Sequence, residues 1–311
     1  MSGTAEKAEE SWGRFERHAG LIPFPAQELI WRDRVAIVGM GGIGGAVAFL
    51  AAKAGFGNLT VCDFDRFEEY NILEQAFATT KTVGRLKAEA AAERLAEHAD
   101  ARGAIRQVNL KVLSEEDALE VLDGASLAVS GVDDPFARIA LARAAKALSI
   151  PLVLPVNIGW TCFVTTYMPG GPLYESRLAQ HAGMPGERLD IDDAAVRELV
   201  LADWDAWAVV VGGFDSDVNR AFLLDGRRQY PYTAYAAFFA GSLGCRELMR
   251  LVTHGEPVHA FPRVSLFDLR DDSRPDVSGV RSAVGELLTA WKEGGRASMY
   301  QAWLRRERGD R

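Results

Sequence analysis

The chain has 311 residues, 48% of them hydrophobic, a formal net charge of -8 and a pI near 5.3. That length allows one large α/β unit or two domains, and the negative balance excludes a general nucleic-acid or anionic-membrane surface, since both require a basic field. Cys62, Cys162 and Cys245 are far apart and include no CxxC pair, so they build neither a disulfide framework nor a four-cysteine zinc site; with no secretory signal pattern at the N-terminus, a reducing cytoplasm is expected.

Residues 1–33 read as a polar arm with a short helix over SWGRFERHAG and an amphipathic AQELIWRD turn. Arg14 and Arg17, three apart, can share one helix face. Taken locally, that face is an ordinary solvated one, and His18 is a surface or packing residue.

Residues 35–65, VAIVGMGGIGGAVAFLAAKAGFGNLTVCDFD, read as strand, turn, helix, strand. Gly39 permits a tight turn, Gly41 lets backbone N–H groups approach a phosphate, and Gly44 lets helix and strand pack closely. Asp63, 24 residues after Gly39, stands at the end of the second strand, where it can accept hydrogen bonds from a ribose. The stretch predicts a nucleotide without saying which; the alternative is a glycine turn that serves packing alone.

A polar loop containing Asp65, Asn71 and Gln75 follows at the carboxyl edge, where open α/β sheets bind ligands. Thr80 or Thr82 is expected to cap a long helix through His98, with Gly84-Arg85-Leu86-Lys87 in its first turn. A lysine there opposes the helix dipole unless an anion is also present. Strands over 105–112, 126–130 and 151–155 alternate with helices, one over 115–122 and one capped by Asp133 or Asp134. This alternation makes residues 34–158 a Rossmann-like, doubly wound, mostly parallel sheet. Asp133 falls on the same edge as Gly39 and Asp63; its purely structural role would be helix capping.

Residues 159–311 extend this α/β fold with further strands and helices as part of one continuous domain. A strand over 161–168 leads into an excursion over about 175–228. That excursion holds seven acids between Glu187 and Asp205 against two arginines, and is expected to be a helical cover over the active edge or else a solvated surface. A long apolar helix over 231–251, a strand over 264–269, and helices over 280–292 and 297–306 complete the chain. The uncharged runs 35–52 and 149–174 hold five glycines and four prolines respectively. Neither suits a membrane helix.

Seven motifs stand in order: Arg14-Phe15-Glu16-Arg17-His18, Gly39 to Gly44, Asp63-Phe64-Asp65, Asn71 with Gln75, Gly84-Arg85-Leu86-Lys87, Asp133 with Arg138, and Gly159-Trp160. Together they resemble the ubiquitin-activating and sulfur-carrier-activating adenylyltransferases of the ThiF/MoeB/HesA family over residues 12–170, with a weaker echo at Gly241-Ser242-Leu243-Gly244. The resemblance implies ATP and magnesium. It also implies in-line attack of a carboxylate, usually the C-terminal glycine of a ubiquitin-like protein, on the α-phosphate. The barrier is mainly charge crowding. It places Asp63 at the ribose hydroxyls, and Gly39, Gly41, Gly42, Gly44 and Asn71 at the phosphates. Asp65 and Gln75 lie beside the nucleotide, Lys87 on the α-phosphate, and Asp133 organises Mg2+. Arg17 would reach the triphosphate from the second subunit of a homodimer.

The departures from the family pattern are equally specific. Glu74 stands where the family has an arginine before Gln75, so it is expected to turn away, to be offset by Arg66 or Arg14, or to impair ATP binding. Leu173 follows Gly171-Pro172 and no CxxC occurs later, so no structural zinc is expected. No cysteine after Trp160 suits a thioester nucleophile, because Cys162 reads as part of a strand. The leading expectation is an adenylyltransferase without a catalytic cysteine, acting on a ubiquitin-like or sulfur-carrier protein or a peptide in cofactor or peptide biosynthesis. The alternatives are a catalytically impaired nucleotide- or partner-binding relative, motivated by Glu74, and a nicotinamide-dependent dehydrogenase, which rests on the glycine loop and Asp63 alone.

Overall fold

The computed structural model describes residues 13–98, 103–182, 188–225, 231–271 and 273–309. After α1 (Phe24–Arg32), the chain alternates through β1 (Arg34–Val38), α2 (Gly42–Ala54), β2 (Asn58–Cys62), α3 (Lys87–Ala96) and β3 (Ile105–Val108). It continues through α4 (Glu115–Leu122), β4 (Leu127–Ser130), α5 (Pro135–Ala147) and β5 (Leu152–Ile158). The strand order is β3-β2-β1-β4-β5, all parallel. The order reverses between β1 and β4, and at such a switch point the carboxyl ends of strands leave a crevice. Gly39, Asp63 and Asp133 all follow strands that end on this edge.

Side chains alternate across the sheet. Val35 and Ile37 join a core with α1, α2 and α3, whereas Ala36 and Val38 join one with α4 and α5. Because helices cover both faces, β1 and β4 are almost wholly buried and read as unbroken apolar runs.

Beyond β5 the chain turns at Gly159 into β6 (Thr161–Tyr167), which pairs antiparallel with β5, and β7 (Ser265–Asp268) pairs antiparallel with β6. Between them lie α6 (Tyr174–Ala182), α7 (Ala194–Val211), α8 (Ser216–Leu223) and α9 (Ala234–His254). The last helix, α10 (Val277–Arg308), is broken at Gly294 and Gly295, as the two expected helices require. Among the described residues, no helix is long and apolar enough to cross a membrane.

Helix α9 lies directly on α2 because glycines permit the approach. A Cβ on Gly241 would stand 2.5 Å from Ala46 Cβ, and one on Gly244 would stand 2.9 Å from Val47 Cγ2. Gly241→Leu is therefore expected to lower the free energy of unfolding by about 1–3 kcal/mol, read from urea denaturation. A variant as stable as the parent would contradict this packing.

Two expected elements differ, and in the acidic excursion the structure decides between the two alternatives. The third helix begins at Lys87 and ends at Ala96, with Leu86 at its N-cap. Thr82 does not cap it: its hydroxyl accepts from the Thr79 N–H at 2.8 Å and donates to the Phe77 carbonyl at 2.8 Å, closing a local turn. Gly84 at φ +84° then prevents a helix from passing through. At the N-terminus, the expected helix contains a 3-10 turn over Glu16–His18; residues 1–12 lie outside the described residues. In the acidic excursion, Asp203 and Asp205 are buried instead of solvated. Asp203 accepts from the Tyr174 hydroxyl at 2.6 Å and Asp205 from Arg296 at 2.9 Å. Glu187 lies outside the described residues.

Candidate functional site

The site begins with backbone contacts that only glycine allows. Gly39 sits at φ +93°, and a Cβ there would meet the Gly131 carbonyl group at 2.7 Å; one on Gly44 would lie 1.8 Å from the Gly39 oxygen. The Gly39 N–H donates to the Cys62 carbonyl and the Gly131 N–H to that of Val38, both at 2.7 Å. These contacts join the ends of β1, β2 and β4 to the first turn of α2. No side chain among the described residues caps α2 at Gly41. Its first N–H groups therefore face the crevice, where a helix N-terminus favours an anion.

Asp63 is buried behind this turn. Oδ2 accepts the Met40 N–H at 2.7 Å and Oδ1 accepts the Asp65 N–H at 2.8 Å. Burial pushes its carboxyl above the usual range, opposed by these two hydrogen bonds and by Lys87. Asp63 thus braces the glycine turn, a role with no signature in sequence. Each oxygen retains acceptor capacity for a ribose hydroxyl.

Lys87 is only 8% exposed although it is a lysine at the first position of a helix. Its ammonium is 3.5 Å from Asp65 Oδ2, and its charge acts on both Asp63 and Glu74. Three carboxylates thus offset the unfavourable helix dipole.

Asn71 accepts the Glu68 N–H at 2.9 Å, shaping a 3-10 turn over Glu69–Leu73. That turn delivers Glu74 and Gln75 to the crevice, where Gln75 Nε2 donates to Glu74 Oε1 at 3.0 Å. Glu74 does not turn away. It is buried, with Oε2 2.7 Å from where a Cβ of Gly42 would stand and beside Ala237 of α9. Neither Arg66 nor Arg14 replaces the missing arginine, because Arg66 donates to the Gly84 carbonyl at 2.7 Å and Arg14 to the His98 carbonyl. Lys87 is the cation that acts on it. Oε2 and Gln75 Oε1 receive no hydrogen bond from the described residues, so these oxygens suit a cation or a donor better than a phosphate.

Sequence reasoning missed Tyr232, which no motif marks. It bridges to Gly159 just ahead of α9, and Glu74 and Asp133 both help burial raise its phenol. Asp133 is exposed, while Asp134 caps α5 through the Phe136 and Ala137 N–H groups at 2.7 and 2.9 Å. Among the described residues, no three His, Cys, Asp or Glu side chains form a metal cage. Magnesium typically takes one or two carboxylates and completes its shell with phosphate and water, a demand that Asp133 fits.

Arg17 is the expected site residue that one chain does not bring to the crevice. It is exposed on the 3-10 turn, beside Phe15. Phe15 packs against Gly55 at the C-terminal end of α2, opposite the glycine turn. At 1.5 Å per residue, the helix separates the two ends by roughly 20 Å.

A model of the ThiF family matches residues 15–282. The chain belongs to the ThiF family. It is 32% identical over 174 residues to the molybdopterin-synthase adenylyltransferase of Escherichia coli (strain K12), covering 55% of this chain and 69% of that protein. It is 37% identical over 129 residues to the sulfur carrier protein adenylyltransferase of Thermus thermophilus, covering 41% and 46% respectively. Among solved structures, E. coli MccB with ATP superposes with a TM-score of 0.60 at 18% identity, over 80% of this chain and 64% of that one. PaaA superposes with a TM-score of 0.56 at 19% identity, over 81% and 66%. These two show the shared fold, and this ThiF-family chain spans about two thirds of their length. Within the family fold, Glu74 against Gly42 is the feature that the motifs alone do not explain.

Proposed function

We propose that this ThiF-family chain is an ATP-dependent adenylyltransferase that activates the carboxylate of a small sulfur-carrier-like protein or a peptide, without a catalytic cysteine. The observation that carries the reading is Lys87, a buried cation beside Asp63 and Asp65 on the edge where the uncapped start of α2 faces the crevice. The relatives' names support it, since those matched in E. coli and T. thermophilus are adenylyltransferases.

In this reading the N–H groups at the start of α2 bind phosphate oxygens and Asp63 orients the ribose. Lys87 neutralises charge at the α-phosphorus as a substrate carboxylate oxygen bonds to it and the bond to pyrophosphate breaks. Asp133 would hold Mg2+, which when bound supplies further charge neutralisation. Burial raises all three thiols to about 12, so none offers a thiolate at neutral pH.

A homodimer belongs to the same proposal. Tyr70 and Leu73 are 67% and 72% exposed on the turn preceding Glu74, and Tyr235 and Phe238 are exposed at the start of α9. A second copy covering these side chains would remove apolar surface from water and bring an arginine such as Arg17 to the crevice. Pyrophosphate exchange against a panel of carboxylate substrates tests the activity. Absence of both exchange and an ATP-dependent thermal shift would defeat the reading.

Glu74 supports a second reading, nucleotide binding without turnover, for which ATP would bind and no exchange would follow. Burial holds the Glu74 carboxyl above its usual value of 4.5. The folded form therefore keeps the proton more tightly, and the stability this group contributes below 4.5 is lost as pH rises through its raised value. Once ionised, it adds negative charge beside the start of α2. ATP affinity is expected to fall over the same rise in pH. Glu74→Gln should flatten the dependence and tighten binding at pH 8 by about tenfold or more, measured by calorimetry. Identical pH profiles for the two proteins would show that Glu74 does not oppose the nucleotide.

A further inference from the structure

Glu74 and Gln75, only 8% and 9% exposed, lie against the first turn of α2. A Cβ on Gly42 would stand 2.7 Å from Glu74 Oε2, and one on Gly41 would stand 3.8 Å from Gln75 Nε2. Gln75 Nε2 donates to Glu74 Oε1 at 3.0 Å, which fixes the carboxylate and leaves Oε2 as the oxygen without a hydrogen bond. Burial disfavours the charged carboxyl, while Gln75, Tyr232, Lys87 and Asn71 favour it. A buried oxygen with no donor is costly, so Oε2 stands ready for a partner.

The charges of the crevice indicate what that partner is. Lys87 lies 3.5 Å from Asp65 Oδ2 and acts on Asp63 and Glu74 as well, so its one charge is already matched. Arg66 and Arg14 are committed to the Gly84 and His98 carbonyls. A triphosphate at the start of α2 would bring several negative charges beside Glu74, and a bare carboxylate repels them. A divalent cation between the two reverses the sign, because with Glu74 it forms a unit with one net positive charge, the charge of an arginine. Magnesium typically takes one or two carboxylate oxygens and completes its shell with phosphate and water. Lys87 and the positive end of α2 disfavour a cation by itself, so the phosphates are part of the site.

We infer that Glu74 Oε2, oriented by Gln75, is the protein ligand of a second divalent cation, bound together with the nucleotide's phosphates and distinct from the Mg2+ proposed at Asp133. The inference rests on the proposed ATP-dependent function and deepens it: an exchangeable cation stands where a fixed one would otherwise be needed. The opposition between Glu74 and ATP described above is then that of the nucleotide without this ion.

The test counts Mn2+ bound to the full chain by electron paramagnetic resonance, in the presence of α,β-methylene-ATP, an analogue that cannot release pyrophosphate. Two ions per chain are expected for the parent, one for Glu74→Gln and one for Asp133→Asn. Calorimetry should show Glu74→Gln binding the analogue more tightly than the parent in EDTA and more weakly in excess Mn2+, a reversal that a merely repulsive carboxylate does not produce. A measurement on the parent alone serves should Glu74→Gln not fold: affinity for the analogue should rise about tenfold or more as free Mn2+ is raised beyond the level that saturates the analogue itself. A single ion in the parent, a second ion retained in Glu74→Gln, or an affinity indifferent to the added Mn2+ overturns the inference. Two ions with no pyrophosphate exchange on any carboxylate would defeat the proposed function and leave the metal site standing; exchange with a count of one would do the reverse.

Discussion

Lys87→Met is expected to slow pyrophosphate exchange by about 10²- to 10³-fold, the loss typical when one fixed stabiliser of transition-state charge is removed. The ammonium group is held among Asp65, Asp63 and Glu74. Without it, the charge gathering on an α-phosphate would face these carboxylates with no buried cation between. Methionine is similar in length, so the packing at the start of α3 is largely kept. Removing a cation from a helix N-terminus also relieves an unfavourable dipole interaction. A structural role and a chemical one therefore separate: the chemical role predicts a fall in kcat larger than the change in ATP affinity, with the unfolding midpoint nearly unchanged. Exchange within tenfold of the parent would remove Lys87 from the mechanism.

The largest effect on stability is expected from Glu175→Leu, which should cost about 3–5 kcal/mol in urea denaturation. Arg143 and Glu175 are both buried and joined by two hydrogen bonds, at 2.9 and 2.5 Å. Arg143 also donates to the Leu189 carbonyl at 2.6 Å, and the Leu189 N–H donates to Glu175 at 3.1 Å. Losing Glu175 strands a buried guanidinium and frees α6 and the segment around Leu189 from α5. Replacing both partners, Arg143→Met with Glu175→Leu, should recover much of the loss, because no unpaired charge then remains. Arg85 and Glu93 supply the control. They are equally close at 2.6 Å but solvated, and Glu93→Ala should leave the unfolding midpoint unchanged. A Glu175 variant no less stable than the Glu93 variant would mean that the pair does not hold the excursion in place.

Much of the nucleotide half was legible in the residues because its determinants are local. Alternating apolar strands and helices reported a parallel sheet covered on both faces. The glycine spacing reported a turn whose close contacts at Gly39 and Gly44 follow from the lack of a Cβ. The start of α3 was misread because Thr82 resembles a cap from its position alone, and the Phe77 carbonyl that binds its hydroxyl cannot be inferred from neighbouring residues. Whether the acids of the excursion are solvated or buried could not be read from the residues for a related reason. Charge reports the cost of burial but not the partner that offsets it, and Arg296, the partner of Asp205, is 91 residues away in the chain.

The amino-acid sequence by itself determined the family resemblance, the strand-turn-helix cradle, and the acids and lysine placed along one edge. Those features depend on backbone geometry and periodicity within short segments. Only the tertiary structure decided that Glu74 lies against Gly42 under α9, that Tyr232 joins it, that Asp63 braces the turn, and that Arg17 stands at the far end of α2. Each depends on which distant elements are packed together and from which side, and that is set by burial of the core across the whole sheet.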